Sequence, residues 1–186
     1  MKIAVTGKGG VGKTTVAAIL ARLYAMEGKN VIAADVDPDA NLGLALGFPQ
    51  TLLDSITPIS RMKDFINDRT GADPTGIQKF FKLNPKVDDI PELFAKEYNG
   101  VKLLVLGTVD TGGSGCVCPE HVILKRLLNH LAMRENDVII MDMEAGLEHL
   151  ARGTTSFMDR FIVVIEPGAR SVQTYQNVRR LALDLG

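Results

Sequence analysis

The octet GKGGVGKT, Gly7–Thr14, follows the apolar run KIAVT and opens a stretch with helical periodicity. That context constrains the fold more than any other feature. A G-x-x-x-x-G-K-[ST] loop between a buried strand and a helix turns its main-chain N–H groups inward as a phosphate cradle. Gly7, Gly9, Gly10 and Gly12 let the backbone make that turn, with Val11 between them. Lys13 then supplies charge at the β- and γ-phosphates, Thr14 a hydroxyl for Mg²⁺, and Thr15 continues the cradle into the helix. The expected cofactors are therefore ATP or ADP with Mg²⁺. Lys8 is a second lysine inside the loop. Its position beside the triphosphate, with a loop that can turn it outward, suits either solvent or a nucleotide on a partner subunit, as an arginine finger does.

The chain alternates buried strands with helices. After KIAVT, a helical pattern of Val16, Ile19, Leu20, Leu23 and Tyr24 runs to Gly28, and VIAAD, Val31–Asp35, is the next strand. Residues 42–99 are less regular, with short helices expected in ISRMKDFINDRT and IPELFAKEY, and PTGIQKFF left ambiguous. Strands are expected at Lys102–Gly107, Asp137–Asp142 and Arg160–Glu166, and a helix at about Pro119–Met133. Ser171 is read as the N-cap of a last helix carrying Val172, Tyr175 and Val178. This is the pattern of an α/β fold, a doubly wound, mostly parallel sheet flanked by helices. We expect residues 1–186 to form a single nucleotide-binding domain, C-terminally incomplete because LALDLG ends on a helix where another strand would follow.

Two carboxylates belong with the loop. Asp35 and Asp142 end apolar strands at the edge of a parallel sheet where ligands bind. Asp142 is placed to hold the Mg²⁺ shell and Asp37 to orient a water for in-line attack. Asp35, Asp39 and Asn41 read equally as turn formers or helix caps.

The formal net charge of −1, with no basic block, gives no reason to expect nucleic-acid binding. The apolar runs VIIM and FIVVI are too short to span a bilayer, and the N-terminus enters a strand with no targeting segment, so a cytoplasmic location is expected.

Both cysteines of the chain, Cys116 and Cys118, lie in TGGSGCVCPEH. A disulfide across Cys-x-Cys would be strained, whereas two thiolates make half of a tetrahedral metal site. Cys118 precedes Pro119 and would sit at a helix N-terminus, where the dipole favours thiolate. A twofold axis would gather four thiolates around Zn²⁺ or Ni²⁺. His121, one turn on, offers an alternative third ligand within one subunit, whereas His130 and His149 are read as solvent-facing or hydrogen-bonding.

The stretch KGGVGKTT resembles the deviant phosphate loop of the partitioning, septum-site and nitrogenase-iron-protein ATPases. The resemblance implies that Lys8 is the signature lysine that contacts the partner subunit's nucleotide. It makes DVDPDAN, Asp35–Asn41, the first switch, and MDMEAG, Met141–Gly146, the second, with Gly146 meeting the γ-phosphate. The combination of GGSGCVCPE with MEAGLEHLARG is most similar to the nickel-insertion accessory ATPases of carbon monoxide dehydrogenase. That likeness implies a slow ATPase, active as a homodimer, with an intersubunit Cys-x-Cys nickel or zinc site and apo-dehydrogenase as client. An electron-transfer ATPase holding an iron–sulfur cluster at its dimer interface, and a non-catalytic nucleotide-switched dimer, are the competing functions.

Overall fold

In the computed structural model the described residues are 1–37, 39–73, 80–107, 119–131, 136–143 and 158–184. The elements begin with β1 (Lys2–Gly7), α1 (Lys13–Met26) and β2 (Asn30–Asp35). Short helices α2 (Leu42–Ala45), α3 (Gln50–Leu53), a 3-10 turn (Ile59–Arg61), α4 (Lys63–Thr70) and α5 (Ile90–Phe94) follow. Among the described residues, strands β3 (Lys96–Tyr98) and β4 (Val101–Val105), helix α6 (Pro119–His130), strands β5 (Asp137–Asp142) and β6 (Arg160–Val164) and helix α7 (Ala169–Asp184) come next.

The six strands form one sheet in the order β3-β4-β2-β5-β1-β6. All pairings are parallel except β3 with β4. A parallel sheet needs both faces covered, and here each face has its own core. Alternate residues of β1 divide between them. Ile3 and Val5 pack with Ala17, Ala18 and Ala21 of α1, whereas Ala4 packs with Ile123, Leu127 and Leu128 of α6. This is the doubly wound α/β fold that strand–helix alternation predicts.

Several expectations change in detail. The buried face of α1 carries Lys13, Ala17, Ala18 and Ala21, while Ile19 and Leu23 are half exposed. Val16, Leu20 and Tyr24, as expected, pack partly buried against the same core, beside the fully buried alanines. The segment IPELFAKEY is a helix for five residues only and then becomes β3. Asn99 and Gly100, both left-handed at φ 49° and 76°, turn it back onto β4 as a tight hairpin. Ser171 is not the cap of α7. The helix starts at Ala169, Val172 N–H donates to Gly168 C=O at 3.1 Å, and the Ser171 side chain is buried inside the first turn without a hydrogen-bond partner. The long helix from Pro119 ends at His130 rather than Met133. Most of PTGIQKFF, the segment left ambiguous, lies outside the described residues.

Gly7 is where β1 becomes the phosphate loop. Its φ is 149°, and a Cβ there would run into the main-chain oxygen of Val164, its partner on β6. Gly9, two residues on, has open space around its Cα. Gly7→Ala should therefore lower the unfolding free energy by about 3 kcal/mol, from overpacking against backbone together with the unfavourable φ. Gly9→Ala should stay within about 0.5 kcal/mol of the parent. Equilibrium urea unfolding of the two variants without nucleotide measures the difference, and equal stabilities would contradict it.

Candidate functional site

The site lies at the carboxyl ends of β1, β2 and β5. Register makes this possible: β5 sits between β1 and β2, with Val5 and Asp35 both opposite Asp142. The loop that leaves β1 and the two strand-end aspartates therefore emerge side by side. Main-chain bonds tie the ends together. Val36 N–H donates to Asp142 C=O at 3.0 Å, and Met143 N–H donates to Val5 C=O at 3.0 Å.

The phosphate loop has the backbone its glycines require. Gly10 and Gly12 have φ 82° and 95°, and neither has a neighbour within reach of a Cβ. Both positions lie at the exposed surface of the loop. Gly12 precedes α1, and Val16 N–H is the first to bond back to it, at 3.0 Å. The N–H groups of the first turn stay available for an anion at the helix N-terminus. Lys13 is buried at 6% exposure, and its Nζ makes one long contact, 3.5 Å, to Lys8 C=O. Its ammonium is held inside the loop with little to satisfy it. Lys8 points elsewhere, with its Nζ 3.5 Å from Glu166 Oε1 just past β6, and both side chains about half exposed. Lys8 and Lys13 thus face different ways from one loop.

Asp142 is completely buried, and neither carboxylate oxygen completes a hydrogen bond. Burial raises its pKa above the usual carboxylate range, and the Asp37 carboxylate adds to that. The Thr14 hydroxyl and the Lys13 ammonium pull it down, so both face it, although the hydroxyl stops short of hydrogen-bond geometry. A buried carboxylate with both oxygens open, beside a threonine hydroxyl, is a fitting place for a divalent cation with its own water shell. Among the described residues no three His, Cys, Asp or Glu side chains converge as a ready-made metal cage.

The loop after β2 is ordered by Asp35. Its carboxylate, fully buried, accepts from Asp37 N–H at 3.1 Å and from Leu42 N–H at 2.9 Å. Asp37 in turn accepts from Asp39 N–H through Oδ1 at 3.0 Å and remains partly exposed at the edge of the site. Asn41 precedes α2, but its side chain makes no cap bond. The residue that caps α2 from within the protein is Asp35. Gly146, Cys116 and Cys118 lie outside the described residues, as does His149. Glu166 was not singled out by sequence reading. The available signal was an acidic residue just past an apolar strand, and it acquires meaning only once β6 is placed next to β1.

Burial pushes Asp35 up to about 7, against the two N–H bonds, with the carboxylates of Asp142 and Asp37 adding to the rise. In the unfolded chain an aspartate ionises near pH 4. The folded state therefore holds its proton longer than the unfolded state. The stability this contributes is full below about pH 4 and is lost as pH rises toward 7. Asp142 acts in the same direction. The nucleotide- and metal-free protein should gain about 1 kcal/mol through Asp35 between pH 8 and pH 6, roughly 3 °C in thermal midpoint. Calorimetric melts across that range test it, and Asp35→Asn should flatten the slope.

The comparisons with known proteins agree with this geometry. Residues 2–166 match the CobQ/CobB/MinD/ParA nucleotide binding domain. The chain is 52% identical over 186 residues to the carbon monoxide dehydrogenase accessory protein CooC of Rhodospirillum rubrum, covering all of this chain and 70% of that protein. It is 47% identical over 186 residues to an uncharacterised ATP-binding protein of Methanocaldococcus jannaschii, covering all of this chain and 71% of the other. A plasmid partition protein of Borrelia burgdorferi has the same fold, with a TM-score of 0.67 at 18% identity over 99% of this chain and 74% of that one. Glycine loop, buried Lys13 and strand-end aspartates all fall within the matched span, and the chain belongs to the CobQ/CobB/MinD/ParA family of P-loop nucleotide-binding proteins.

Proposed function

We propose that this protein is a cytoplasmic, ATP-hydrolysing metallochaperone that assists nickel insertion into carbon monoxide dehydrogenase, working as a nucleotide-dependent homodimer. The observation that carries the reading is the 52% identity, along the whole chain, to a carbon monoxide dehydrogenase accessory protein. The buried Asp142 carboxylate, with both oxygens unsatisfied, and the buried Lys13 at the nucleotide edge support its ATPase half. In this reading the N–H groups of Gly9–Thr15 cradle the phosphates, with Gly7 setting the entry to the loop. Lys13 neutralises charge on the transferring phosphoryl group. Thr14 and Asp142 would hold the Mg²⁺ shell, and that ion would offset the charge on the phosphate oxygens. Asp37 orients a water for in-line attack on the γ-phosphorus. The bond to the bridging oxygen breaks, giving ADP and inorganic phosphate. Gly146 would meet the γ-phosphate, and Lys8 would reach the nucleotide of the partner subunit.

Cys116 and Cys118 are the cargo half of the proposal. Two thiolates leave a divalent ion open to water, and four close its tetrahedron. A Ni²⁺ or Zn²⁺ shared between two subunits would cross-link them, so metal affinity and association must strengthen one another. Hydrolysis would loosen the same interface and open the thiolate set to the client enzyme.

Lys13→Ala should weaken Mg·ADP binding by at least about tenfold, because a charged contact of about 1.5–3 kcal/mol is lost. Asp37→Ala should keep nucleotide bound while turnover falls by about a hundredfold, the usual scale for a positioned general base. Calorimetry with ADP and a phosphate-release assay separate the two effects, and undiminished ADP binding by Lys13→Ala would sink the assignment of the loop.

For the cargo site, anaerobic titration with Ni²⁺ or Zn²⁺ followed by native mass measurement should find one ion for every two chains. Cys116→Ala and Cys118→Ala should each abolish it. One tightly held ion per monomer would move the site to a set completed by His121. Iron and acid-labile sulfide in anaerobically purified protein would replace the chaperone reading with a cluster-bearing electron-transfer ATPase.

A further inference from the structure

Asp35 does more than end a strand. Its main chain is pinned on both sides: Leu106 N–H of the segment after β4 donates to Asp35 C=O at 2.8 Å, and the next N–H, of Val36, donates to Asp142 C=O at 3.0 Å. From that fixed post the side chain reaches forward along its own chain. One oxygen takes Asp37 N–H at 3.1 Å and the other takes Leu42 N–H at 2.9 Å. The two bonds straddle the loop that carries Asp37 and close it at both ends.

The loop so closed is not in a relaxed conformation. Ala40 has φ 48°, a left-handed backbone that costs an alanine on the order of 1 kcal/mol or more. Its N–H donates to Asp37 C=O at 3.2 Å, so the strained residue also bears on Asp37. On the far side, α2 cannot shift easily. Gly43 is buried, and a Cβ there would press on Leu53 and Leu103 side chains. A rigid post, a rigid far end and a strained arc between them describe a held conformation. Full burial of a carboxylate beside Asp142 and Asp37 is an expensive way to hold it if the fold alone were at stake.

We propose that Asp35 is a positioning residue for hydrolysis: its two hydrogen bonds hold the Asp37 loop in the geometry from which Asp37 acts. The inference rests on the role of Asp37 given above. It predicts that Asp35 governs turnover of bound nucleotide and leaves the phosphate cradle alone. Asp35 makes no bond to Gly7–Thr15 among those described, so nucleotide affinity has no reason to follow it.

The test is Asp35→Asn beside Asp37→Ala in the intact protein, reading Mg·ADP affinity, thermal midpoint and single-turnover ATP hydrolysis. An asparagine can accept one of the two N–H groups, and its amide nitrogen opposes the other, so the clasp opens at one end. Mg·ADP affinity within about twofold of the parent is expected, with hydrolysis about tenfold slower, less than the loss for Asp37→Ala. Wild-type hydrolysis by Asp35→Asn, with Asp37→Ala inactive, overturns the proposal and spares the role of Asp37. Full activity of Asp37→Ala removes that role and the proposal with it. Parallel loss of affinity, midpoint and hydrolysis in Asp35→Asn makes Asp35 merely structural and also overturns the proposal. If Asp35→Asn does not fold, amide exchange in the parent protein with Mg·ADP decides. Protection at Asp37 and Leu42 supports the clasp, and exchange as fast as at exposed amides refutes it.

Discussion

Everything at the site hangs on the packing of β1 between β5 and β6. β1 is buried along its whole length and bonded in parallel on both sides. A strand held this way ends at a defined height, and the chain leaving it must turn at once. Gly7 makes that turn possible by coming too close to Val164 C=O for any other residue. The neighbouring strand β5 is bonded to β1 and β2 alike, so Asp142, Asp35 and the loop share one edge. The charged groups are thus brought together by the sheet register, and their attraction for one another does little of the assembly. This matters because buried charges rarely hold a fold together by themselves.

The parts legible in the sequence were those where local pattern and tertiary role coincide. β1, β2 and β5 are unbroken apolar runs because parallel central strands are covered on both faces, and their ends carry the site residues. The glycine loop was legible because backbone geometry leaves few other residues able to make it. What failed was settled by neighbours far along the chain. The fully buried line of α1 is Ala17, Ala18 and Ala21, with Val16, Leu20 and Tyr24 packed beside it, and Ile19 and Leu23 of the expected apolar face are left half exposed. β3 is three residues at the sheet edge, too short for a period-2 pattern, although Asn99-Gly100 was a usable hairpin signal. Ser171 was read as a cap on its residue type, yet α7 starts at Ala169, three residues before the Val172 that such a cap would make the first of the helix. Glu166 could not be linked to Lys8 without the β1–β6 pairing.

The two strand-end aspartates show why residue type alone under-determines a role. Both are fully buried, both sit opposite one another in register, and burial raises the pKa of each. Asp35 is satisfied by two main-chain donors, whereas neither oxygen of Asp142 has any. The satisfied carboxylate shapes the chain. The unsatisfied one is open to something that arrives from outside, and a divalent cation with phosphate answers that need better than a single water does. From the sequence Asp142 was read as a holder of the Mg²⁺ shell, and Asp35 was left open between a site residue and a turn former or cap. Hydrogen bonding separates them.

The two lysines of the loop differ in the same spirit. Lys13 is enclosed; among the described residues its ammonium has one long hydrogen bond, to Lys8 C=O, and the Asp142 carboxylate as a facing charge, so it gains from an anion entering the cradle. Lys8 lies at the rim, paired with Glu166 across 3.5 Å and open to water on much of its surface. Exposed pairs of this kind are worth about 0–1 kcal/mol, because solvent and side-chain entropy offset most of the attraction. Such a pair sets a resting direction without fixing it. A lysine meant to serve its own nucleotide gains from enclosure, since a low-dielectric setting strengthens its pull on phosphate. A lysine meant for a second molecule has to be reachable from outside and easily released. One loop of eight residues, Gly7–Thr14, turns one lysine in and leaves the other out.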